Sequence, residues 1–522
     1  MRILFYNWAQ FDDAGMAGGG VTVYLRNVIE ELLRREGVEV WFLSSGHLYR
    51  NFDRRVRIVP TPNAYDHPRL KTFALLNSPI KAPAHDAFYA IDRWASDDVS
   101  VGVIREFLRA NGPFDVVHLH NLEGVGAGVL RLPRGEDVKR LFYTLHNCMP
   151  FCPQVELLYD GRQRCTDYRE GYRCVGCLGY ETRMFDLIAM ARAASVVNLG
   201  RLAGHPLGWF VFGMQSAAQT AYRAVRNLFK DLRHGFRTRF GHWQLGARKG
   251  SGKRYDWRAT PDTPRLRAQP LDRRAGLALG YRNWRQKNAA ALAENLDGLF
   301  AVSDLLRSVA LPLLPEGTNV ETLALPIDIE TTAEERAGFR ARRVEATEVT
   351  LSFVGYDTAA KGLAFLIEAL TDLDDPFYRE KVNLLVVARL GSHRARQLYQ
   401  LERQFKSVRV IRGYRRDQLQ ELSGMIDLNV VPSICWETFN QVTVELARLG
   451  VPSLVSSTVG AKQAIADQET FVFESGDAAD FRRKLDALLK NDTLRARFFE
   501  TELAIPSVRE HVDLLLARYA RE

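Results

Sequence analysis

At 522 residues the chain is too long for one ordinary hydrophobic core, so the sequence predicts two or three domains. Its composition, 46% hydrophobic and 25% charged, is typical of a soluble globular protein. No apolar window approaches the roughly 18 residues of a membrane span, and the start, "MRILFYNW", lacks the pattern of a secretory signal, so we expect a cytoplasmic protein.

The positive charge of the chain is concentrated in one segment. Residues 223–287 contain 18 Lys or Arg and four acidic residues, a net charge of +14, whereas the whole chain carries +9. The remainder is therefore slightly acidic, and the basic character belongs to this segment rather than to the folded body.

The first part of the chain alternates strand and helix patterns. "RILFYNW" predicts a strand, "AGMAGGGV" a Gly-rich loop, and "VTVYLRNVIEELLRREG" a helix that ends at Gly37. "VEVWFLSS", "FDVVHLHN" and "RLFYTLHN" predict further buried strands. This alternation favours a parallel, doubly wound sheet.

The last part repeats the plan. "EVTLSFVG" predicts a strand, "YDTAAKG" a loop and "LAFLIEALTDL" a helix, and the strands "VNLLVVAR", "VRVIRGY", "IDLNVVPS" and "VPSLVSS" follow. We therefore expect an α/β protein with two Rossmann-like domains facing a cleft, in which ligands bind at the carboxyl ends of the strands.

We divide the chain into four parts. Residues 1–177 and 293–500 are the two Rossmann-like domains. Residues 178–292 are a basic insert, helical or partly disordered, without convincing strand alternation. Residues 501–522 are a C-terminal helix that packs back on the first domain.

Two glutamates mark the mouth of a predicted helix in "CWETFNQVTVELARLGVPSLVSS". A strand ends at Ser433 and a helix begins near Phe439, so backbone N–H groups suited to a diphosphate lie at the cleft. Glu437 precedes this helix, and Glu445 lies eight residues further on, close to two turns, on the same side. A surface carboxylate pair is the alternative interpretation.

The order of these motifs is specific. "FVGYDTAAKG", "IRGYRRDQLQEL" and "VPSICWETFNQVTVELARLGVPSLVSS" resemble the donor-binding domain of the retaining glycosyltransferases of family 4, which have the GT-B fold. "GGGVTVYLRNVIEEL", "DVVHLHN" and "YTLHNCMPFCP" are similar to the acceptor-side domain of that family. The resemblance covers the chain except the basic insert.

The resemblance implies a role for each matching residue of the second domain. Glu437 would contact hydroxyls of the donor sugar, Glu445 the ribose of the nucleotide, and Lys361 the diphosphate. Phe439 and Asn440 would form the helix mouth against the donor.

It also implies the residues on the other sides of the donor. Gly19 and Gly20 would let the backbone of the first domain approach the phosphates, where a Cβ would clash. Gly413 and Tyr414 would lie along the base. His146, at the end of its strand, would lie near the anomeric carbon and position the sugar.

Some positions depart from the family pattern. Tyr356 and Asp357 stand where the family usually has an arginine paired with the lysine, which removes a phosphate-binding cation. Asn440 replaces the usual small residue of the helix mouth, and "VVAR" lacks the common Gly-Asp-Gly turn. His118 and His120 share one face of a strand, and we interpret them as structural.

Five of the six cysteines lie close together: Cys148, Cys152, Cys165, Cys174 and Cys177. This clustering is unlike a disulfide framework and favours a reducing compartment. Cys174 and Cys177 have the spacing of a zinc knuckle, and Cys152 and Cys165 would complete a four-thiolate structural zinc site, with Cys148 as a spare or substitute ligand. Reduced buried thiols are the alternative, and a disulfide is the third.

Together these features predict a retaining glycosyltransferase that moves a sugar from a nucleoside diphosphate donor to a glycan or lipid-linked acceptor, in bacterial cell-surface polysaccharide synthesis. The D-x-D pattern at residues 372–374 predicts a solvated turn, so we expect no catalytic metal. Residues 207–287, basic and aromatic, predict contact with an anionic membrane surface at its inner face. The alternatives are a catalytically weak sugar-nucleotide-binding or scaffolding relative and a nucleic-acid-binding protein, although no nucleic acid is expected because the insert lacks a readout module.

Overall fold

The structure is a computed structural model. It describes residues 1–12, 19–45, 53, 55–62, 65–80, 82, 97–159, 163–178, 271–329, 331–332, 334–335, 338, 348–371, 373–415, 418–500 and 505–521. The predicted insert and the predicted membrane-binding segment therefore lie outside the described residues, except for residue 178 and residues 271–292. None of the described helices is both long and apolar enough to cross a membrane.

The described residues contain strands β1 (Arg2–Tyr6), β2 (Glu39–Ser45), β3 (Arg57–Pro60), β4 (Leu70–Leu76), β5 (Phe114–Leu119), β6 (Val138–Leu145), β7 (Leu158–Tyr159), β8 (Gln163–Arg164), β9 (Gly298–Ala301), β10 (Glu321–Thr322), β11 (Val349–Val354), β12 (Val382–Val387), β13 (Ser407–Ile411), β14 (Leu428–Val431), β15 (Ser453–Ser456) and β16 (Val472–Phe473).

They also contain α-helices α1 (Gly19–Arg34), α2 (Asp98–Asn111), α3 (Tyr172–Leu178), α4 (Leu271–Glu294), α5 (Asp304–Ala310), α6 (Leu363–Thr371), α7 (Pro376–Lys381), α8 (Ser392–Gln400), α9 (Leu419–Ser423), α10 (Gln441–Arg448), α11 (Gln468–Phe471), α12 (Ala478–Lys490), α13 (Asp492–Ala496) and α14 (Val508–Ala520).

Two largely parallel sheets organise the fold. The first has the order β10-β9-β6-β5-β1-β2-β4-β3, and only its edge pair β3–β4 is antiparallel. The second has the order β13-β12-β11-β14-β15-β16 and is parallel throughout. The predicted α/β class with two Rossmann-like sheets is confirmed. We call the described residues between 1 and 327, together with α14, the first lobe, and residues 348–500 the second lobe; both belong to one compact unit.

The first lobe extends further along the chain than the sequence indicated. Strand β9 pairs in parallel with β6, placing Gly298 opposite Phe142, and β10 pairs with β9. Gly298 permits this pairing because a Cβ there would lie 2.7 Å from the Phe142 ring. The boundary predicted at residue 293 therefore lies inside the first lobe. The apolar run "GLFAV" completes the first sheet instead of beginning the second.

The end of the predicted insert is a helix packed on the first lobe. In α4, Trp284, Ala291 and Leu292 are buried, and the Asn288 side-chain amide donates a hydrogen bond of 2.9 Å to the Pro150 carbonyl. This end of the predicted insert therefore contributes to the core of the first lobe.

A glycine fixes the turn between β11 and α6. Gly362 has φ +73°, and a Cβ on it would lie 1.8 Å from the carbonyl oxygen of Pro432, just beyond β14. The backbone of this loop thus lies directly against the end of the neighbouring strand. The sequence needs glycine here for both the left-handed conformation and the close approach.

Helix α14 docks on the first lobe through buried polar contacts. The Tyr24 hydroxyl of α1 lies 2.9 Å from His511 Nε2, and the other ring nitrogen of His511 lies 2.9 Å from the Ala324 carbonyl. His118 on β5 joins the Tyr519 hydroxyl at 2.5 Å. Helix α14 is thereby fixed to both α1 and the first sheet.

The histidines of this region are buried and neutral. Burial lowers the pKa of His118 and His120 well below the ordinary value, and their histidine neighbours lower it further. Burial, with the nearby His511, lowers the pKa of His146 to about 3. Burial lowers that of His511 to about 4, although the Ala324 carbonyl opposes it. Each would take up a proton only at the cost of placing a charge in the core.

We predict that this cluster makes stability fall with acidification. Below about pH 6.5 the unfolded chain protonates histidines that the folded chain keeps neutral, so the free energy of unfolding decreases by up to about 1.4 kcal/mol per pH unit for each. The loss begins near pH 6.5 and continues toward the folded pKa values near 3 and 4. Urea unfolding at pH 7, 6 and 5 measures it.

The matched pair for this experiment is His511→Asn, which removes one buried imidazole, and His393→Asn, which removes an exposed one. The first should flatten the dependence of stability on pH and the second should leave it unchanged. Equal slopes in all three proteins would contradict the prediction.

Candidate active site

The centre of the candidate site is an ion pair between two loops of the second lobe. Lys361, in the loop after β11, donates from Nζ to Glu437 Oε1. The other carboxylate oxygen, Oε2, accepts a 2.6 Å hydrogen bond from the Ser433 hydroxyl. The Lys361 side chain is 30% exposed and that of Glu437 only 7%, so the lysine side chain is partly accessible to solvent while the carboxylate is enclosed.

Both members of the pair are charged at neutral pH. Burial alone would raise the pKa of Glu437, but the Lys361 charge and the hydrogen bonds from Lys361, Ser433 and Asn440 outweigh it and lower the pKa. Burial opposes the charge on Lys361 as well, and Glu437 more than offsets it, so the pKa of Lys361 is raised. The pair is mutually dependent: either group alone would be costly to keep ionised here.

The backbone around Glu437 is held by a neighbouring loop. The Glu437 N–H donates to Thr458 O at 2.9 Å, the Gly460 N–H to Glu437 O at 2.8 Å, and the Ala461 N–H to Phe439 O at 2.7 Å. Phe439 itself is buried. These hydrogen bonds form a parallel β-bridge between Glu437 and Val459. They fix the backbone of Glu437 and leave its carboxylate oxygens available for other contacts.

The carbonyl of Ser433 is anchored on the opposite side. It accepts hydrogen bonds from three buried hydroxyls, those of Ser456 at 2.7 Å, Thr458 at 2.9 Å and Ser475 at 3.1 Å. The Ser433 hydroxyl that contacts Glu437 therefore projects from a rigid backbone. Sequence patterns carry no direct signal for Ser433, because its role depends on hydroxyls 23 to 42 residues further along the chain.

Asn440 begins helix α10 in an unusual conformation. Its φ is +75°, and its side-chain oxygen accepts hydrogen bonds from the Thr443 N–H at 3.0 Å and the Thr443 hydroxyl at 2.9 Å. Asn tolerates the left-handed region better than most residues and is also a preferred N-cap. The departure from the family pattern at this position is thus compatible with the backbone. Glu445, five residues further along the chain in α10, is buried.

The first lobe meets α10 through the Gly-rich loop. A Cβ on Gly20 would lie 2.8 Å from the side-chain oxygen of Gln441, the first residue of α10, whereas one on Gly19 would contact nothing within 4 Å. Gly19 has φ +56°. The N-terminus of α1 in the first lobe thus approaches the N-terminus of α10 in the second lobe. They meet at the end of the second sheet where the Lys361–Glu437 pair lies. Such helix ends favour anions.

His146 lies at the carboxyl end of β6 in the first lobe. It is 7% exposed, and its Nε2 lies 2.9 Å from His120 Nδ1. Its ring is 5.1 Å from that of Tyr24. As a neutral, buried imidazole it is suited to positioning a group by hydrogen bonding rather than to carrying a charge.

Gly413 and Tyr414 follow β13 at the carboxyl edge of the second sheet. Gly413 has φ +88°, and Tyr414 packs, partly buried, against a cluster that includes Val354 and Val387. Arg389, after β12, is nearby: its Nε would lie 3.9 Å from a Cβ on Gly413. The arginine of "VVAR" is therefore an exposed cation at the position where the family has its Gly-Asp-Gly turn. The resemblance to the family implies no role for this arginine.

A second arginine reaches the loop that lacks the family's arginine. Arg394 of α8 pairs with Asp357 through Nε and Oδ1 at 3.0 Å, while Tyr356 is 68% exposed. The sequence offered no signal for this pair, because the residues lie 37 positions apart on different elements. A cation therefore does lie beside the loop, although Asp357 already binds it.

The four predicted zinc ligands, Cys152, Cys165, Cys174 and Cys177, line one pocket of the first lobe. Among the described residues, no group of three or more His, Cys, Asp or Glu side chains is arranged in this structure to hold a metal ion. All six cysteines are unpaired by disulfides. In the predicted solvated turn, residue 372 lies outside the described residues, and the Asp374 side chain is 92% exposed.

Comparison with known proteins agrees with this architecture. The model of the family "Glycosyl transferases group 1" matches residues 348–491. The phosphatidyl-myo-inositol mannosyltransferase of Mycobacterium leprae (strain TN) is 29% identical over 216 residues, which are 39% of this chain and 53% of the relative. The chain thus matches about half the length of that relative.

Solved structures with the same fold cover nearly the whole chain. Sucrose-phosphate synthase from Thermosynechococcus elongatus has a TM-score of 0.52 and 14% identity, covering 99% of this chain and 96% of that one. Trehalose-6-phosphate synthase OtsA has a TM-score of 0.50 and 11% identity, covering 100% and 99%. At this identity the likeness shows the fold. Residues 348–491 are therefore similar to the group 1 glycosyl transferases, and the chain has the two-lobed GT-B fold.

Proposed function

We propose that the protein is a retaining glycosyltransferase that transfers a sugar from a nucleoside diphosphate donor to a glycan or lipid-linked acceptor. The observation that carries the proposal is the Lys361–Glu437 pair, which is charged, partly open to solvent and adjacent to the N-terminus of α10. Nearby, Gly20 brings the other lobe's backbone against Gln441. A cation thus lies close to the N-terminus of α10, which the N-terminus of α1 approaches from the other lobe.

The diphosphate is the ligand group that this positive potential suits. An ammonium has three N–H donors, so the bond to Glu437 uses one and leaves capacity for phosphate oxygens. The N-termini of α1 and α10 add backbone donors and a favourable dipole. As the sugar leaves, negative charge grows on the diphosphate, and a fixed cation stabilises that charge more than it stabilises the ground state.

Glu437 and His146 are assigned to the sugar. An ionised carboxylate accepts hydrogen bonds and donates none, so Glu437 suits sugar hydroxyls. His146, neutral at the end of β6, positions the sugar near its anomeric carbon. Glu445 is assigned to the ribose hydroxyls, and Gly413 with Tyr414 to the base. In this scheme the leaving diphosphate oxygen takes the proton of the acceptor hydroxyl, so no separate protein base is required.

A catalytically weak, sugar-nucleotide-binding relative is the second candidate, because Tyr356 replaces the family's arginine. The experiment that separates them has two stages. A thermal-shift screen of nucleotide sugars identifies the donor, since a ligand bound only by the folded state raises its stability. Donor hydrolysis and transfer assays with that nucleotide sugar then follow. Binding without turnover would favour the weak relative, and no binding of any nucleotide sugar would contradict the proposal.

The acceptor is assigned as lipid-linked, presented at an anionic membrane surface, with a role in bacterial cell-surface polysaccharide synthesis. Two facts support this. The similar mannosyltransferase is named for a phosphatidyl-myo-inositol acceptor, and residues 223–287 carry a net charge of +14. Each basic residue near an anionic bilayer contributes about 1 kcal/mol of binding.

We predict that Lys361→Met costs at least about 2 kcal/mol of transition-state stabilisation, a fall of about thirtyfold in kcat/KM. It should also lower the free energy of unfolding by about 2 kcal/mol, because Glu437 is left buried without its counter-charge. Adding Glu437→Gln should restore most of that stability but none of the activity. Steady-state kinetics and urea unfolding measure the two effects separately.

The control is Lys406→Met, which removes a lysine whose partner, Glu348, is on the surface of the same lobe. It should change both stability and activity little. Full activity in Lys361→Met, or a double variant less stable than the single one, would show that the pair has another role.

We predict different kinetic effects for the two glutamates. Glu445→Gln should raise the KM for the donor with a smaller change in kcat, because the ribose does not react. Glu437→Gln should lower kcat more than it raises KM, because its contact with the sugar changes as the sugar flattens. Initial rates over a range of donor concentrations distinguish them, and an unchanged kcat/KM in both variants would refute the assignments.

We predict that the full-length protein co-sediments with liposomes that contain anionic lipid and not with neutral ones. Binding should weaken as salt is raised, because exposed charges are screened. Replacing residues 223–262 with a Gly-Ser linker keeps α4 intact and should abolish it. Failure to bind anionic liposomes at low salt would overturn the membrane assignment, and salt-sensitive binding to RNA or DNA alone would favour the nucleic-acid alternative.

A further inference from the structure

The cysteine pocket contains a buried cation as well as four sulfurs. Cys152 lies in the turn after β6, Cys165 directly follows β8, and Cys174 and Cys177 lie one turn apart on α3. Arg285, from α4, completes the lining. Four separate parts of the first lobe thus converge on one small space.

Arg285 has no ordinary counter-charge. It is only 6% exposed, and its Nη2 donates to Cys174 Sγ at 3.3 Å. Its guanidinium carbon lies 4.4 Å from the centre of the Tyr168 ring, and its Nε has no hydrogen-bond partner. Among the residues that the structure describes, no carboxylate pairs with it. A buried guanidinium without an anion is strongly unfavourable.

The thiols can supply that anion only if something ionises them. Neutral thiols give Arg285 no negative charge, and neither would a disulfide. A divalent metal ion ionises the thiols that it binds. Four thiolates around a zinc ion leave a net charge of −2, which the guanidinium partly balances.

Hydrogen bonds to sulfur indicate the same chemistry. Besides Arg285 on Cys174, the Gln154 side-chain amide donates to Cys177 Sγ at 3.1 Å. N–H groups directed at the sulfurs are typical of the shell around thiolate ligands, which they orient and stabilise. The pair on α3 has the C-x2-C spacing of structural zinc sites, and those sites use four protein ligands.

We propose that Cys152, Cys165, Cys174 and Cys177 bind one zinc ion as thiolates and that Arg285 provides its counter-charge. Since the sulfurs are not arranged for ligation in this structure, binding requires their side chains to rotate within the pocket. Each ligand releases one proton, so zinc replaces four protons in all. The site stabilises the fold and takes no part in sugar transfer.

The site also holds a hairpin against the donor-side loops. Leu158, on β7, packs against Ala360 and Cys435, the neighbours of the Lys361 and Glu437 loops. The Cys165 N–H donates to Leu157 O at 2.7 Å, and Arg164 lies 6.0 Å from the Trp436 ring. Zinc would therefore fix the β7–β8 hairpin where it contacts the second lobe.

The test is the metal content of the full-length protein, purified under reducing conditions without added metal. Elemental analysis should find about one zinc per chain. Cys174→Ser should lose it, whereas Cys148→Ala, which alters a buried cysteine outside the pocket lining, should retain it. Iron in place of zinc would overturn the identity of the metal. Absence of metal with all six thiols titratable after unfolding would overturn the site.

The role of Arg285 has its own measurement. Competition with a chromogenic chelator should show that Arg285→Met binds zinc at least about tenfold more weakly, whereas Arg285→Lys retains most of the affinity. Cobalt substituted into both variants should give the same tetrahedral thiolate spectrum, because the ligands are unchanged. Equal zinc affinity in wild type and Arg285→Met would refute the counter-charge role. If Cys174→Ser does not fold, chelation of the wild-type protein still tests whether the site exists. Removal of the metal by a chelator should lower the melting temperature, and added Zn²⁺, but not Mg²⁺, should restore it.

Discussion

The buried carboxylate of Glu437 is the constraint on which the second lobe depends. A charge that is 7% exposed requires compensation, and the surrounding structure provides it in layers. Lys361 supplies the opposite charge and Ser433 a hydrogen bond. Three hydroxyls then fix the carbonyl of Ser433. The turn that carries Lys361 can lie against β14 only because residue 362 is glycine. The rigid surroundings thus keep ionised the pair that we propose for binding the donor phosphate and sugar.

Sequence patterns identified the elements but not the pairs between them. The alternating apolar runs predicted both sheets, and the helix pattern after Glu437 predicted α10, because these signals are local. The Lys361–Glu437 and Arg394–Asp357 contacts join residues 76 and 37 positions apart, and no single-sequence periodicity reports such contacts. The predicted boundary at residue 293 puts strand β9 in the wrong domain for the same reason. A short apolar run indicates that a segment is buried but does not indicate which sheet it joins. The clustering of the cysteines can be recognised in the sequence. The contact between Arg285 and Cys174 cannot, because the two residues lie 111 positions apart.

Hydrogen bonds join the lobes to each other and to residues 505–506, which precede α14. The Ile327 N–H donates to Pro506 O at 3.3 Å, and Arg448 of the second lobe donates to Ile505 O at 3.0 Å. Ser303, which caps α5 in the first lobe, donates to Thr438 O. After the chain returns from the second lobe to the first, α14 is fixed to the first lobe through neutral histidines and tyrosines. Protonation of these histidines at low pH would therefore place positive charge in the core where α14 is attached and weaken that attachment.

The chain between β6 and α3, which we call the cysteine loop, connects the candidate site to the thiol pocket, because it begins at the candidate sugar-positioning histidine. His146 precedes it, and Leu158 within it packs on Ala360 beside Lys361. Such a loop has little regular structure of its own: β7 and β8 contain two residues each. Short irregular segments hold their shape only when something besides backbone ladders restrains them. Gly171 packs so tightly that a Cβ would lie 2.0 Å from Ala278 O of α4, and the thiol pocket joins the same helix to the loop. A restraint at the cysteines would thus act on the geometry of the acceptor side and on the loop that carries Lys361 together.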